Sequence, residues 1–160
     1  MTIQFNRTIA FRNRNPLNIR YVNTIEWHGQ QGNNDGFVSF KSFVYGYRAA
    51  VKILRNYNKR GLCSIEDIVS TWAPRSENNT DAYIKSVADY MNGVFSIILN
   101  SYEPSTKIRL KNREEVVNLL MAMTRVEMGA NVAQLHALRP SAYVCYDLAV
   151  TSMGFFDGIR

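Results

Sequence analysis

A mainly helical α+β domain with a small β lobe between residues 18 and 40 is the fold that this sequence predicts. Three observations lead there. The chain has 160 residues, which suits one domain (1–160) with a core of its own. Helical spacing of apolar residues dominates from Phe43 onward. Between Asn15 and Phe40, by contrast, the sequence is rich in Asn, Gly and Gln, with short β-like stretches at 18–22 and 37–40.

Those two stretches are joined by Gln30-Gln31-Gly32-Asn33-Asn34-Asp35-Gly36, which is turn chemistry, so the segment reads as a hairpin or irregular lobe. Phe43, Tyr47, Ala50, Leu54 and Tyr57 then follow 4-3-4-3 spacing, one face of a helix over residues 43–58 that ends before Gly61. Ser64 can cap a short helix carrying Ile65, Ile68, Val69 and Trp72, which Pro74 stops. Thr80 begins another, with Tyr83, Val87 and Tyr90 inward. Residues 94–99 suit strand or helix equally, and 103–106 read as a loop. Asn112 opens the best-defined helix of the C-terminal half, with Glu115 three residues on, a stripe of Val116, Leu119, Leu120, Met123 and Val126, and a stop at Gly129. A last helical segment is expected over 141–151, and the fold is expected to pack around the 43–58 helix.

Composition narrows the chemistry. Hydrophobic residues make up 46% and charged residues 20%, values of a folded globule rather than a disordered chain. Cys63 and Cys145 lack any CxxC or Cys/His spacing and read as reduced, semi-buried thiols. His28 and His136 have no partner at metal-ligand spacing, so neither a metal site nor a cofactor is expected. Residues 1–14 alternate apolar and polar and carry Arg7, Arg12 and Arg14, which is not a signal peptide, and no apolar run approaches the roughly 20 residues of a membrane span. The net charge of +6 favours polyanionic partners without choosing among nucleic acid, anionic lipid and acidic cell-wall polymers. Arg12, Arg14 and Arg20 beside Phe11 and Tyr21 make a basic-aromatic mixture that falls short of any nucleic-acid motif. No phosphate loop and no Ser/His/Asp or Cys/His arrangement is present.

Glu127 is the carboxylate with the clearest chemical signal. It lies eleven residues after Val116, which at about 100° per residue returns it to within about 20° of the same direction. An acid therefore sits in the apolar stripe at the last turn of a helix, where burial and the negative end of the helix dipole both favour the protonated form. A proton-holding carboxyl is what a glycosidic general acid requires. The competing arrangement pairs Glu127 with Arg125 or another base at the surface. Glu26, beside Trp27, is either a second acid facing a sugar or a solvated loop residue. Glu77 suits a structural role near the next helix start, and Asp35 a turn.

Four ordered motifs resemble a small phage and prophage family whose members are often labelled only as structural or virion proteins. Asn13 to Arg20 matches RNNNPGNIR. Trp27-His28-Gly29, Phe37-Val38-Ser39-Phe40 and Gly46-Tyr47-Arg48-Ala49 match W.G, F..F and G.RA. Trp72 to Tyr83 matches W/YAP..ENDT..Y, and Ala122 to Gly129 matches AM(S/T)RVENG. Leu17 stands where that family usually has Gly. The same order is similar to a bacterial glucosaminidase/lysozyme-like family, in which the catalytic Glu ends a helix preceding an NFGI-type motif. Here the corresponding helix lies toward the end of the chain instead, so the resemblance implies a circularly permuted lysozyme-like domain with Glu127 as acid.

The implied activity is cleavage of peptidoglycan glycan strands, at entry or lysis, by lytic transglycosylation or, with Glu26 as second carboxylate, by hydrolysis. Asn18, Arg20, Tyr21, Trp27 and Trp72 would bind the sugar. Action in the periplasm or cell wall, reached from a virion or from the host cytoplasm, would follow. The alternative is a non-catalytic virion component that contacts nucleic acid, membrane or other virion proteins through its basic surface.

Overall fold

The computed structural model describes residues 7–94 and 101–160. Its elements run α1 Ile9–Arg12, β1 Gln30–Asn34, β2 Phe37–Phe40, α2 Phe43–Lys59, α3 Ile65–Trp72, α4 Thr80–Val94, α5 Arg113–Met128 and α6 Val132–Val150. The mainly helical α+β class is therefore observed, with one two-stranded antiparallel sheet among the described residues. Most of the 94–99 stretch lies outside the described residues, as do the first six residues of the alternating N-terminal segment.

The helix ends follow from local chemistry. The Ser64 hydroxyl accepts from Asp67 N while the Asp67 carboxylate accepts from Ser64 N, a capping box that starts α3. Asn112 caps α5 by accepting from Glu115 N, and Gly129 closes it in the left-handed region (φ 64°). Asn131 and Gln134 form a second capping box that starts α6 at Val132. That is nine residues earlier than the expected 141, because Pro140 lies inside the helix instead of at its beginning.

Two expectations are corrected. The strand paired with β2 is Gln30–Asn34, part of the presumed turn, and 18–22 contributes only an isolated bridge, Arg20 to Phe37. The turn itself is Asp35-Gly36, both at positive φ (52° and 85°), which matches the twist of a two-residue hairpin. Because β1 reads QQGNN, it has no apolar alternation to reveal it. The second correction concerns the centre of the domain. It is α5, whose residues from Glu115 to Thr124 are all buried, while α2 packs chiefly against α6. Val126, expected in the apolar stripe, is 37% exposed, because the last turn of α5 emerges from the core.

Asn15 fastens the N-terminal segment to the lobe. Fully buried, its Nδ2 donates to the carbonyls of Ile19 and Val38 (2.9 Å each), and its Oδ1 accepts from Ile19 N (2.9 Å). Gly46 lets α2 approach the same segment, since a Cβ there would lie 2.5 Å from the Arg14 carbonyl oxygen and 2.7 Å from Pro16 Cδ. Leu17, where the resemblance leads one to expect Gly, is fully buried, and the left-handed residue is its neighbour Asn18 (φ 51°).

Replacing Asn15 with Ala leaves the buried Ile19 N–H without its acceptor and removes two further bonds. A loss of about 3 kcal/mol is expected in urea denaturation. Gly46→Ala forces a methyl against backbone and should cost about 1–3 kcal/mol by the same measurement.

Candidate functional site

A groove of about 600 Å³ separates the β lobe from the helices. Arg20, Val22, Ile25, Trp27 and Phe37 line one wall. Ile53, Asn56, Tyr57 and Arg60 of α2, with Trp72, Pro74, Glu77 and Asn78 around the end of α3, line the other. Asn18 and Glu127 belong to the same lining. A separate depression beside Tyr102 and Arg109 is built around the buried Glu115 and lies apart from these residues.

Glu127 reaches the groove because α5 is covered on all sides until its last turn. Tyr47 and Thr124 hold that turn in register. The Thr124 hydroxyl donates to Leu120 O (2.7 Å), so the Tyr47 hydroxyl is the donor in the 2.8 Å contact between the two side chains. Both residues are fully buried.

The Glu127 carboxyl receives two neutral donors. Asn18 Nδ2 donates to Oε2 (3.1 Å), and the Tyr83 hydroxyl donates to Oε1 (3.1 Å). Asn18 Nδ2 also reaches the Glu127 main-chain carbonyl (3.2 Å), an obligate acceptor that fixes which way the amide faces. Among the described residues no ion pair involves Glu127, and Arg125 is exposed. Burial raises its proton affinity above the ordinary carboxylate range. The Asn18 and Tyr83 hydrogen bonds and the positive field of Arg20 offset part of that rise. Tyr83 is itself held protonated by burial and by the adjacent carboxylate.

Of the residues singled out from sequence, Asn18, Arg20, Trp27, Trp72 and Glu127 share the groove, whereas Tyr21 and Glu26 are not part of its lining. Glu26 is exposed. Asn18 acts on Glu127 directly, so its place is beside the acid. Trp72 spends its indole N–H on the Leu17 carbonyl (3.2 Å) and meets Tyr57 edge to face, leaving ring surface to the groove. Tyr83 and Glu77 were outside the sequence-derived site, although both belong to the Trp72–Tyr83 motif. Arg20 and Glu77 form an ion pair at 2.8 Å that joins the two walls.

Elsewhere, Cys63 and Cys145 are free and buried rather than semi-buried, and burial pushes the Cys145 thiol up. No His/Cys/Asp/Glu group among the described residues is arranged to hold a metal ion. No helix of the described residues is long and apolar enough to cross a membrane.

Fold and groove together define a helical α+β domain with a half-buried acid between a β lobe and a helical wall. No protein-family model matches the chain. Over 85 residues, 50% of the chain, the sequence is 45% identical to Protein P5 of Pseudoalteromonas phage PM2. The match spans about half of that relative, 53% of its length, and makes this chain similar to a phage protein.

Because the folded state raises the proton affinity of Glu127, its carboxyl favours folding most below the ordinary carboxylate pKa. That advantage is lost as pH rises through the raised value. Glu127→Gln removes the titration. Melting curves of the two proteins should therefore diverge in favour of the Gln variant on raising the pH, then run parallel. A constant difference across the range would contradict the assigned environment.

Proposed function

We propose that the chain cleaves the glycan backbone of peptidoglycan in a phage context, with Glu127 as general acid. The observation that carries this reading is the half-buried Glu127 in the groove, held by neutral donors and biased toward its protonated form. Cleavage of a glycosidic bond needs a proton on the departing oxygen as the C–O bond breaks, and a carboxyl of raised proton affinity is the group to supply it. Trp27, Trp72, Phe37 and Tyr57 offer ring surface on both walls, which suits the apolar faces of sugar rings.

The placement of α5 beside the 15–20 segment supports the lysozyme-like, circularly permuted reading: Asn18 and Glu127 are 109 residues apart in sequence and in direct contact. The setting follows from the similarity to a phage protein. In this reading the protein is carried in a virion, or made in the host before lysis, and acts at the cell wall.

A second reading keeps the scaffold without the chemistry: a non-catalytic virion component that contacts other virion proteins, nucleic acid or membrane through its net positive charge of +6. The comparison favours this reading more directly, since it ties the chain to a phage protein and not to an enzyme.

Clearing of purified Gram-negative peptidoglycan in a gel overlay separates the two. The wild-type protein should clear, and Glu127→Gln should lose at least about 100-fold in rate while keeping its fold by circular dichroism. Equal clearing by both proteins would remove Glu127 from the chemistry, and absence of clearing by the wild type would leave the structural reading.

A further inference from the structure

The groove contains a second carboxylate, and it is not the one the sequence suggested. Glu26 is exposed and outside the lining, whereas Glu77 lines the groove from the helical wall. Its Oε2 is paired with Arg20 Nη2 from the lobe at 2.8 Å, and no hydrogen bond occupies its Oε1 among the described residues. The Arg20 guanidinium also lies 5.8 Å from the centre of the Phe37 ring, which holds it at the lobe wall. Arg20 thus sits within electrostatic reach of both acids, and its field acts on Glu127 as well.

The two carboxyls differ in the way a glycosidase requires. Glu127 is half-buried and has neutral donors. Glu77 has 57% of its side chain exposed and a guanidinium beside it. Two carboxyls with such different surroundings in one groove are the arrangement that an acid–base couple uses.

Resting on the proposed glycan cleavage, we propose that Glu77 is the second catalytic carboxylate and that the reaction is hydrolysis by a directly activated water. Glu127 gives its proton to the glycosidic oxygen, and the C1–O bond breaks with its electron pair going to that oxygen. A water then forms the new bond to C1 and yields a proton to Glu77; Glu77 releases that proton to solvent, and solvent returns one to Glu127. Water is added across the bond and nothing else is consumed. The oxocarbenium-like transition state is strongly electrophilic, so the Oε1 of Glu77, which carries no hydrogen bond among the described residues, suffices to take up the proton of the water. Arg20 is then a positioning residue that holds Glu77 at the groove.

The test uses the full chain, purified peptidoglycan and water enriched in oxygen-18. The wild-type protein should release reducing ends that carry the label with inverted configuration at C1. Glu77→Gln, on the surface and expected to fold, should lose about 10²–10⁴-fold in kcat with little change in KM. Azide, a small nucleophile that needs no deprotonation, should restore turnover to Glu77→Ala as a glycosyl azide, which a merely structural carboxylate would not permit. Unlabelled anhydro products, retained configuration, or full activity of Glu77→Gln would overturn the assignment while leaving Glu127 as acid. No cleavage of glycan by the wild type would overturn both.

Discussion

The burial of α5 on every side is the constraint from which the remaining architecture follows. A helix whose residues from Glu115 to Thr124 are all inaccessible cannot rotate or slide without moving α4, α6 and α1, all of which touch it. The Tyr47–Thr124 hydroxyl pair adds a directional lock inside that packing. Close-packed interiors transmit such constraints with little slack. The side chain one turn beyond the buried stretch is therefore delivered to a defined place, and that side chain is Glu127.

Two glutamates on this one helix show how environment divides the roles of identical groups. Glu115, only 2% exposed, accepts from the Tyr102 hydroxyl, from Arg109 N and from the Arg109 guanidinium, and it stands in the first turn, where the helix dipole favours negative charge. Its charge is compensated, and it ties the 101–110 loop to the core. Arg109 is in turn held more firmly protonated by the contact. Glu127 stands in the last turn, with neutral donors and the unfavourable end of the dipole. The first arrangement compensates a buried charge, and the second raises the proton affinity of a carboxyl beside a groove.

The motif residues owe their identities to close contacts that the segments make with one another. Gly46 is small because α2 crosses the Arg14–Pro16 backbone at contact distance. Gly29 lies at φ 75° with the Tyr45 ring where a side chain would stand. Asn15 substitutes for a strand partner by bonding both Ile19 and Val38, which turns the 15–20 segment toward α5 and brings Asn18 to Glu127. The groove is thus a consequence of how residues 13–40 are folded back against α2, the end of α3 and the end of α5.

What the sequence determined by itself was local. Apolar spacing and cap residues placed α2, α3 and α5 to within a residue or so, because capping and periodicity act over a few residues of chain. The position of Glu127 in an apolar stripe was legible for the same reason. Other features depended on partners far away in the chain. β1 forms only because Asp35-Gly36 folds QQGNN against β2, and Val126 is exposed only because α5 leaves the core at that turn. Tyr83 meets Glu127 across 44 residues, and Arg20 meets Glu77 across 57, between groups whose spacing carries no helical or strand period. The tertiary structure therefore decided which carboxylates share the groove, because contacts between distant segments are set by the packing of whole elements.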